Sequence, residues 1–280
     1  MSQLNGLITN SPLERELFNG RMYAGTGYHR ARRSFAHEAI CAMLALGERF
    51  YVSLSFGKQS LVVAHMVYQV APDTPMMFLA SSESWMMHDF ADVIDRFMAR
   101  WPVNLTIVQT NNAALDIDAV VADLSRRQPS ITWRFKPPGD PAWNWKQSRD
   151  YGERDLQEMA PREAFDGWFW GLAKEESVAR RMTLSTRWEG QPHPAVFRYG
   201  DGKYRCCPLA NWQALDLAAY IATHDLPMLD TYRQRGLSAR TTARVTRQAA
   251  EHGFMSLSRH YNIEVVNRLC ARFPELRGAT

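Results

Sequence analysis

The chain has 280 residues, of which 46% are hydrophobic and 22% are charged, and its formal net charge is +4. This composition is ordinary for a globular protein and excludes wholesale disorder, a collagen-like repeat and a heptad rod. No apolar run approaches the ~20 residues of a membrane-spanning helix, and residues 1–10 lack the apolar core of a secretory signal. We therefore expect a cytoplasmic protein with no membrane partner.

The predicted elements alternate between helices and strands. Residues 11–34 are polar and are expected to be irregular, whereas apolar side chains at helical spacing predict a helix over 34–49 that begins at Ser34. The alternation continues with strands at 50–54, 76–79 and 103–108 and helices at 61–70, 87–99 and 117–124. Strands separated by crossover helices form parallel sheets, so the predicted fold class is α/β with a mainly parallel, Rossmann-like sheet.

The second half of the chain begins with an interruption. Residues 129–150 are rich in proline and tryptophan, which is typical of a long ordered loop, either a surface excursion or a lid over a substrate. A further strand is predicted within 164–172. A helix is predicted within 208–226, with Asn211 as its N-cap. Residues 236–280 are expected to be helical and basic.

The most informative stretch is Ser55-Phe56-Gly57-Lys58-Gln59-Ser60. A predicted strand runs into it and a predicted helix follows, so the unpaired first amides of the helix point toward the loop. Gly57 permits close backbone approach or a positive φ angle, the serine hydroxyls donate hydrogen bonds, and Lys58 adds a positive charge. These residues predict a phosphate-binding loop, although the spacing is not that of a Walker motif and a purely structural turn would use similar residues.

Residues 55–60 resemble the S-G-G-K-D-S pyrophosphate loop (PP-loop) of the adenine nucleotide alpha-hydrolase superfamily. The S-F-G form is similar to the branch that contains phosphoadenylylsulfate reductases and the small subunit of ATP sulfurylase. Two later stretches resemble this branch's G-x-R-x-x-x-S-x-x-R and P-L-x-x-W-x-x-x-D patterns, in the family's order: 170–181 and 208–216. The resemblance implies an adenine nucleotide alpha-hydrolase-like fold, with an irregular segment at 1–34, a PP-loop nucleotide-binding domain at 35–228 and a basic helical extension at 229–280.

The resemblance also implies a set of site residues. Lys58 is the expected catalytic residue, because its charge would stabilise the negative charge that develops at the phosphate. The other expected contacts are Ser55, Phe56, Gly57, Gln59 and Ser60 for phosphate, Lys174, Ser177, Arg180 and Arg181 for sulfate or a leaving phosphate, and Glu83, Arg240 and Thr241 for the nucleotide. For 174–181 a solvated helix face is the alternative, and the spacing does not decide which of Arg180 and Arg181 points inward.

Three departures from the family pattern bear on the chemistry. Gln59 replaces the loop aspartate, and an amide is a poorer Mg²⁺ ligand than a carboxylate, so any Mg²⁺ is expected to arrive with the nucleotide. Leu79 is followed by Ala-Ser-Ser-Glu-Ser rather than by the family's Asp-Thr-Gly-like turn. The C-terminal Cys-Gly motif of the reductases is absent, so reduction of a sulfonucleotide by this chain alone is not expected.

The cysteines and histidines do not predict a metal centre. No CxxC pair exists, and Cys206-Cys207 follow the 170–181 stretch instead of preceding it, so neither an iron–sulfur cluster nor a zinc site is expected. These two cysteines and Cys270 are interpreted as packed thiols, with a nucleophile or persulfide carrier as the alternative.

The C-terminal region is strongly basic. Residues 231–280 hold nine Arg and no Lys against three Glu and no Asp. Three interpretations stay open for 232–247: contact with the nucleotide, an exposed amphipathic helix, or contact with nucleic acid.

Two functional hypotheses follow from the sequence. The first is an enzyme that binds ATP or an adenylyl-sulfate-like nucleotide and cleaves or transfers at the α-phosphate, as an ATP pyrophosphatase or an adenylyl- or sulfur-transferase of sulfur metabolism. The second is a non-catalytic nucleotide-binding subunit, or a nucleic-acid-associated component of a larger complex. A protein partner or a homo-oligomer is compatible with either hypothesis.

Overall fold

The structure of the protein, a computed structural model, describes most of the chain. The described residues are 11–80, 84–85, 89–109, 117–135, 165–185, 190–198, 200, 202–239, 263–272 and 274–277. Glu83, Arg240 and Thr241 lie outside them, as do residues 136–150 of the expected long loop. The described chain forms two compact units, one of residues 1–76 and 165–239 and the other of residues 77–164 and 240–280.

The first unit contains four strands, six α-helices and one 3₁₀ helix in its described residues. The helices are α1 (Pro12–Ala24), α2 (Gly27–Leu44), α3 (Lys58–Val70), α6 (Val178–Ser185), α7 (Ala214–His224) and α8 (Asp230–Arg235), with a short 3₁₀ helix at Lys174–Glu176 as the seventh helical segment. The strands are β1 (Phe50–Ser53), β5 (Gly167–Phe169), β6 (Val196–Arg198) and β7 (Tyr204–Cys206).

The sheet of this unit places three chain segments side by side. β1 pairs in parallel with β5, and β5 pairs in parallel with β7, so that Val52 faces Phe169 and Phe169 faces Cys206. β6 runs antiparallel to β7. Because parallel strands end at the same edge of a sheet, the segments that follow β1, β5 and β7 emerge next to one another. Those segments are the three that resemble the family patterns.

The second unit holds the remaining strands and helices. They are β2 (Met76–Ala80), β3 (Leu105–Gln109), β4 (Thr132–Phe135), α4 (Phe90–Arg100), α5 (Asp118–Arg127) and α9 (Ile263–Arg272), with a 3₁₀ helix at Pro274–Arg277. β3 and β4 are parallel. Arg127 of α5 reaches the carboxylates of Asp92 and Asp95 on α4 at 2.8 and 3.3 Å, which ties the two helices together.

The predicted α/β class and the mainly parallel strands are confirmed, and several local predictions are wrong. Residues 12–24 and 27–34 are helical instead of irregular, and Ser34 lies inside α2, whose N-cap is Thr26. The Thr26 hydroxyl accepts a hydrogen bond from the His29 amide at 3.3 Å. The helix was predicted to begin at Ser34, eight residues later, so this cap was not predicted. β4 forms within the expected proline-rich loop. The division at 34 and 228 stays a prediction.

Among the described helices, none is both long enough and apolar enough to cross a membrane.

Candidate nucleotide site

The loop between β1 and α3 brings two serine hydroxyls together. Ser60 Oγ lies 3.0 Å from Ser55 Oγ, accepts the Ser55 amide at 3.1 Å and donates to the Gly57 carbonyl at 3.0 Å. Gly57 is the N-cap of α3 and supplies no side-chain cap to the helix. Ser55 is exposed and Ser60 is buried, so the pair of hydroxyls reaches solvent through Ser55.

Phe56 shapes this loop through its backbone. Its φ angle is +54°, whereas Gly57, for which either close backbone approach or a positive φ was predicted, has φ −74°. The Phe56 side chain is fully buried. A bulky residue in the left-handed region is strained and persists only when its surroundings hold it there. Phe56, expected among the phosphate contacts, thus anchors the loop in the core instead of presenting its side chain to a ligand.

Lys58 is held from two sides by the segment that includes α8. Its Nζ donates to the Ala239 carbonyl at 2.7 Å and lies 5.5 Å from the centre of the Tyr232 ring. Its backbone amide donates to the Tyr232 hydroxyl at 3.1 Å. The residue is only 7% exposed. Sequence reasoning missed Tyr232 because it is 174 residues away along the chain and no local pattern marks it.

The segment after β5 packs directly on the first turn of α3. A Cβ on Gly171 would lie 2.7 Å from the Ser60 amide nitrogen and 2.8 Å from the Gln59 carbonyl carbon, so only glycine fits there. Glu175 follows in the 3₁₀ turn. Burial raises the pKa of the Glu175 carboxyl, and the Ala214 amide and the Lys58 charge oppose this rise. The structure therefore brings the loop and the 170–181 stretch together.

Lys174 and Ser177 both form contacts within the protein. Lys174 Nζ donates to Asn211 Oδ1 at 3.0 Å, so Asn211 is a partner of Lys174 and not the N-cap of α7, which is Gln213. The Ser177 hydroxyl accepts the Arg180 amide at 3.2 Å at the start of α6. The arginine that the family pattern places after Gly-x falls on Ala173, which is buried.

Arg180 is the arginine of the pair that points toward the protein. Its guanidinium forms an ion pair with Glu176, and its charge lowers the pKa of the buried Cys207 thiol against the larger effect of burial. Arg181 is exposed. Because the two residues are adjacent on a helix, only one of them can face inward, and the structure selects Arg180.

The third stretch, 208–216, is architectural. Asp216 is fully buried, accepts the Gln213 amide at 2.9 Å and lies 3.3 Å from both His29 Nδ1 and Arg32 Nε. The Trp212 indole donates to the Arg32 carbonyl at 3.1 Å. These contacts fasten α7 to α2 and cap α7 at its first turn.

The cysteines lie in packed positions. Cys206, Cys207 and Cys270 are all buried, and burial raises the pKa of each thiol. The Arg205 charge lowers the pKa of Cys207 only in part. Raised pKa values favour the packed-thiol interpretation, since the thiolate is the reactive form.

The described residues contain no group of three or more His, Cys, Asp or Glu side chains that could hold a metal ion. Gln59, which takes the place of the family's loop aspartate, is half-buried at the start of α3.

Comparison with known proteins defines the class to which this fold and loop belong. Residues 49–257 match the model of the phosphoadenosine phosphosulfate reductase domain. Because the match extends over most of the chain, the protein belongs to the phosphoadenosine phosphosulfate reductase domain family.

Individual relatives are distant. A phosphoadenosine 5'-phosphosulfate reductase of Xylella fastidiosa is 24% identical over 71% of this chain and 74% of its own length. An adenosine 5'-phosphosulfate reductase of Halalkalibacterium halodurans is 24% identical over 66% of this chain and 69% of its own length. The crystal structure of a phosphoadenylyl-sulfate reductase from Candida auris in complex with phosphate aligns with a TM-score of 0.43 and 15% identity, over 70% of this chain and 82% of that one.

Proposed function

We propose that the protein binds an adenine nucleotide, ATP or an adenylyl-sulfate-like nucleotide, with residues 55–60 around its phosphates, and cleaves or transfers at the α-phosphate. One observation carries the proposal. The Ser55 and Ser60 hydroxyls and Lys58 meet at the start of α3, at the carboxyl end of a parallel strand, where open α/β sheets bind phosphates. Membership of the family supports the choice of an adenine nucleotide.

Cleavage or transfer at the α-phosphate can proceed when the protein positions the reacting groups and stabilises the developing charge. Lys58 would stabilise the charge that develops on the phosphate, and the hydroxyls would orient the phosphate oxygens. Arg180 would hold a sulfate or a leaving phosphate, because its guanidinium is a planar donor suited to either anion and its stretch begins at Gly171, which packs against α3. Any Mg²⁺ would enter with the nucleotide.

Reduction of a sulfonucleotide is not part of the proposal. That reaction needs an accessible thiolate, and the buried positions and raised pKa values of Cys206, Cys207 and Cys270 disfavour one.

Calorimetric titration with ATP tests nucleotide binding. Lys58→Ala is expected to weaken binding by about 1–3 kcal/mol, the range for a charge-assisted contact. Lys203→Ala is the matched control, because Lys203 also donates to a backbone carbonyl, that of Phe165, but precedes β7, whereas the loop follows the parallel strand β1. Equal dissociation constants for folded Lys58→Ala and the wild type would remove Lys58 from the site.

A second candidate function is nucleotide binding without turnover, in a subunit that contacts nucleic acid. Gln59 in place of the loop carboxylate and the nine Arg of residues 231–280 favour it. Pyrophosphate release from ATP and Mg²⁺ separates the two functions. Release supports the enzyme, whereas ATP binding without release, together with salt-sensitive affinity for nucleic acid, supports the binding subunit.

A further inference from the structure

We propose that Tyr232 and Glu16 are positioning residues of the phosphate loop. Tyr232 caps the first turn of α3, and Glu16 holds the 236–239 turn, whose last carbonyl fixes the Lys58 ammonium. The inference rests on the proposed function only for what Lys58 binds; the contacts themselves are independent of any ligand.

Tyr232 supplies a cap that the loop does not provide. The N-cap residue Gly57 has no side chain to accept an amide of the first turn. The Tyr232 hydroxyl accepts the Lys58 amide at 3.1 Å instead. Tyr232 is 1% exposed and lies in α8, so its ring has little freedom to move. The hydroxyl therefore sets where α3 begins, and with it the direction in which the loop amides point.

The same segment holds the other end of Lys58. Its Nζ donates to the Ala239 carbonyl at 2.7 Å and lies against the Tyr232 ring, a cation–π geometry. An ammonium carries three N–H donors, and a fixed bond from one of them fixes the directions of the other two. The lysine side chain, with its four-carbon stem, is thus ordered before a ligand arrives.

Glu16, on α1, holds the turn that carries Ala239. Its Oε2 accepts the Leu237 amide at 2.5 Å. Gly236 has φ +74°, and a Cβ there would lie 2.7 Å from Glu16 Oε1, so the carboxylate sits directly against the turn. The Gly236 amide donates to the Tyr232 carbonyl at 2.7 Å, and the Ala239 amide donates to the Gly236 carbonyl at 3.2 Å. A continuous set of contacts thus runs from Glu16 through this turn to Lys58.

Ordering of the Lys58 side chain should affect the binding of phosphorylated ligands only. Ordering a long side chain costs conformational entropy, and a residue that is ordered in advance does not incur that cost on binding. Loss of the Tyr232 hydroxyl or the Glu16 carboxylate should therefore weaken binding of phosphorylated ligands and leave contacts to an adenosine unchanged.

A ligand-free experiment tests the positioning. The rate at which an amine-acylating reagent modifies Lys58 is measured by peptide mass spectrometry in the wild type, Tyr232→Phe, Glu16→Gln and Glu16→Ala, each checked for an unchanged melting temperature. Tyr232→Phe keeps the ring, and Glu16→Gln keeps an acceptor oxygen. We expect the largest increase in the Lys58 rate, several-fold, in Glu16→Ala, which loosens the turn that carries the Ala239 carbonyl. A smaller increase is expected in Tyr232→Phe, which keeps the ring but removes the cap on the Lys58 amide. The rate should be nearly that of the wild type in Glu16→Gln, and the rate at Lys203 should be constant in all four proteins. An unchanged Lys58 rate in both folded Tyr232→Phe and Glu16→Ala overturns the proposal.

A binding experiment tests the consequence. Tyr232→Phe is expected to weaken ATP binding about three- to tenfold, the effect of one lost hydrogen bond, with no change for adenosine. In the Lys58→Ala background, which keeps the backbone amide that the hydroxyl caps but lacks the ammonium, the same substitution should have a smaller effect than in the wild type, because part of its effect acts through Lys58. Additive losses, or equal losses for ATP and adenosine, contradict the positioning role. If the wild type does not bind ATP, the proposed function fails, whereas the acylation rates still decide the positioning.

Discussion

The 55–60 loop and the 208–216 stretch both match patterns of one family, yet they differ in physical character. The loop joins an exposed serine, a strained backbone and a lysine ammonium held by a carbonyl. The later stretch buries Asp216 and Trp212 in contacts with α2. The family patterns therefore include both an exposed polar loop, which we propose binds a ligand, and buried residues that hold the fold, and burial and partners separate the two kinds.

The largest expected effect lies in the architectural stretch. Asp216→Ala removes a buried carboxylate and leaves His29 and Arg32 without their partner, so we expect a loss of about 3–5 kcal/mol in the free energy of unfolding. Urea denaturation measures it, with Asp73→Ala, at an exposed carboxylate, as the control. Nearly equal midpoints for the two variants would show that the stretch is not architectural.

Gly171 has a structural role that directly affects the loop, because it packs against the backbone of Gln59 and Ser60. The Cβ of Gly171→Ala would press on the first turn of α3, so we expect a loss of about 1–3 kcal/mol in stability together with weaker ATP binding. Gly25→Ala is the matched control, because a Cβ there meets no atom within 4 Å. Stability loss with an unaltered dissociation constant would separate this contact from the site.

The buried cysteine pair that precedes the 208–216 stretch should make the free energy of unfolding depend on alkaline pH. Burial raises the pKa of Cys206 and of Cys207, so above the ordinary thiol pKa of about 8.5 the folded state retains protons that the unfolded state loses. Stability is therefore complete below that pH and falls above it by about 1.4 kcal/mol per pH unit for each thiol. Denaturation at about pH 8 and 10 measures the slope. Cys207→Ala should reduce it, and Cys41→Ala, at a half-buried thiol, serves as the control.

The smallest expected effect concerns Cys270. We expect no sulfite release from phosphoadenylylsulfate with thioredoxin as donor, in the wild type or in Cys270→Ser, because this thiol is buried and its pKa is raised. Binding of ATP by the same samples is the control that the proteins are folded and able to bind a nucleotide. Sulfite release by the wild type but not by Cys270→Ser would identify Cys270 as the nucleophile. The protein would then be a sulfonucleotide reductase.

The sequence predicts the alternating core of this fold because hydrophobic periodicity is local. The strand predicted at 50–54 is Phe50–Ser53, and the helix predicted at 61–70 begins three residues earlier, at Lys58. Features that depend on distant partners are not predictable in this way. Asn211 has the chemistry of an N-cap, but its oxygen meets Lys174, 37 residues away.

The candidate site likewise contains residues that the local sequence predicts and residues that only long-range contacts reveal. Ser55, Lys58 and Ser60 are recognisable because the loop chemistry is contiguous, and the structure places their polar groups at one helix start. Tyr232 and Glu16 carry no local signal, since a tyrosine or a glutamate on a helix is ordinary in composition. Their contacts arise only once the chain has folded.

The conformation of Phe56 has a kinetic consequence. A left-handed backbone angle with a fully buried ring pins the loop in one shape, because any other shape would expose the ring to water. Under the proposed function, a nucleotide would meet a loop that needs no folding step, and association would proceed at a rate set by diffusion and charge rather than by loop closure. Exchange of nucleotide would accordingly be governed by the lifetime of the bound state.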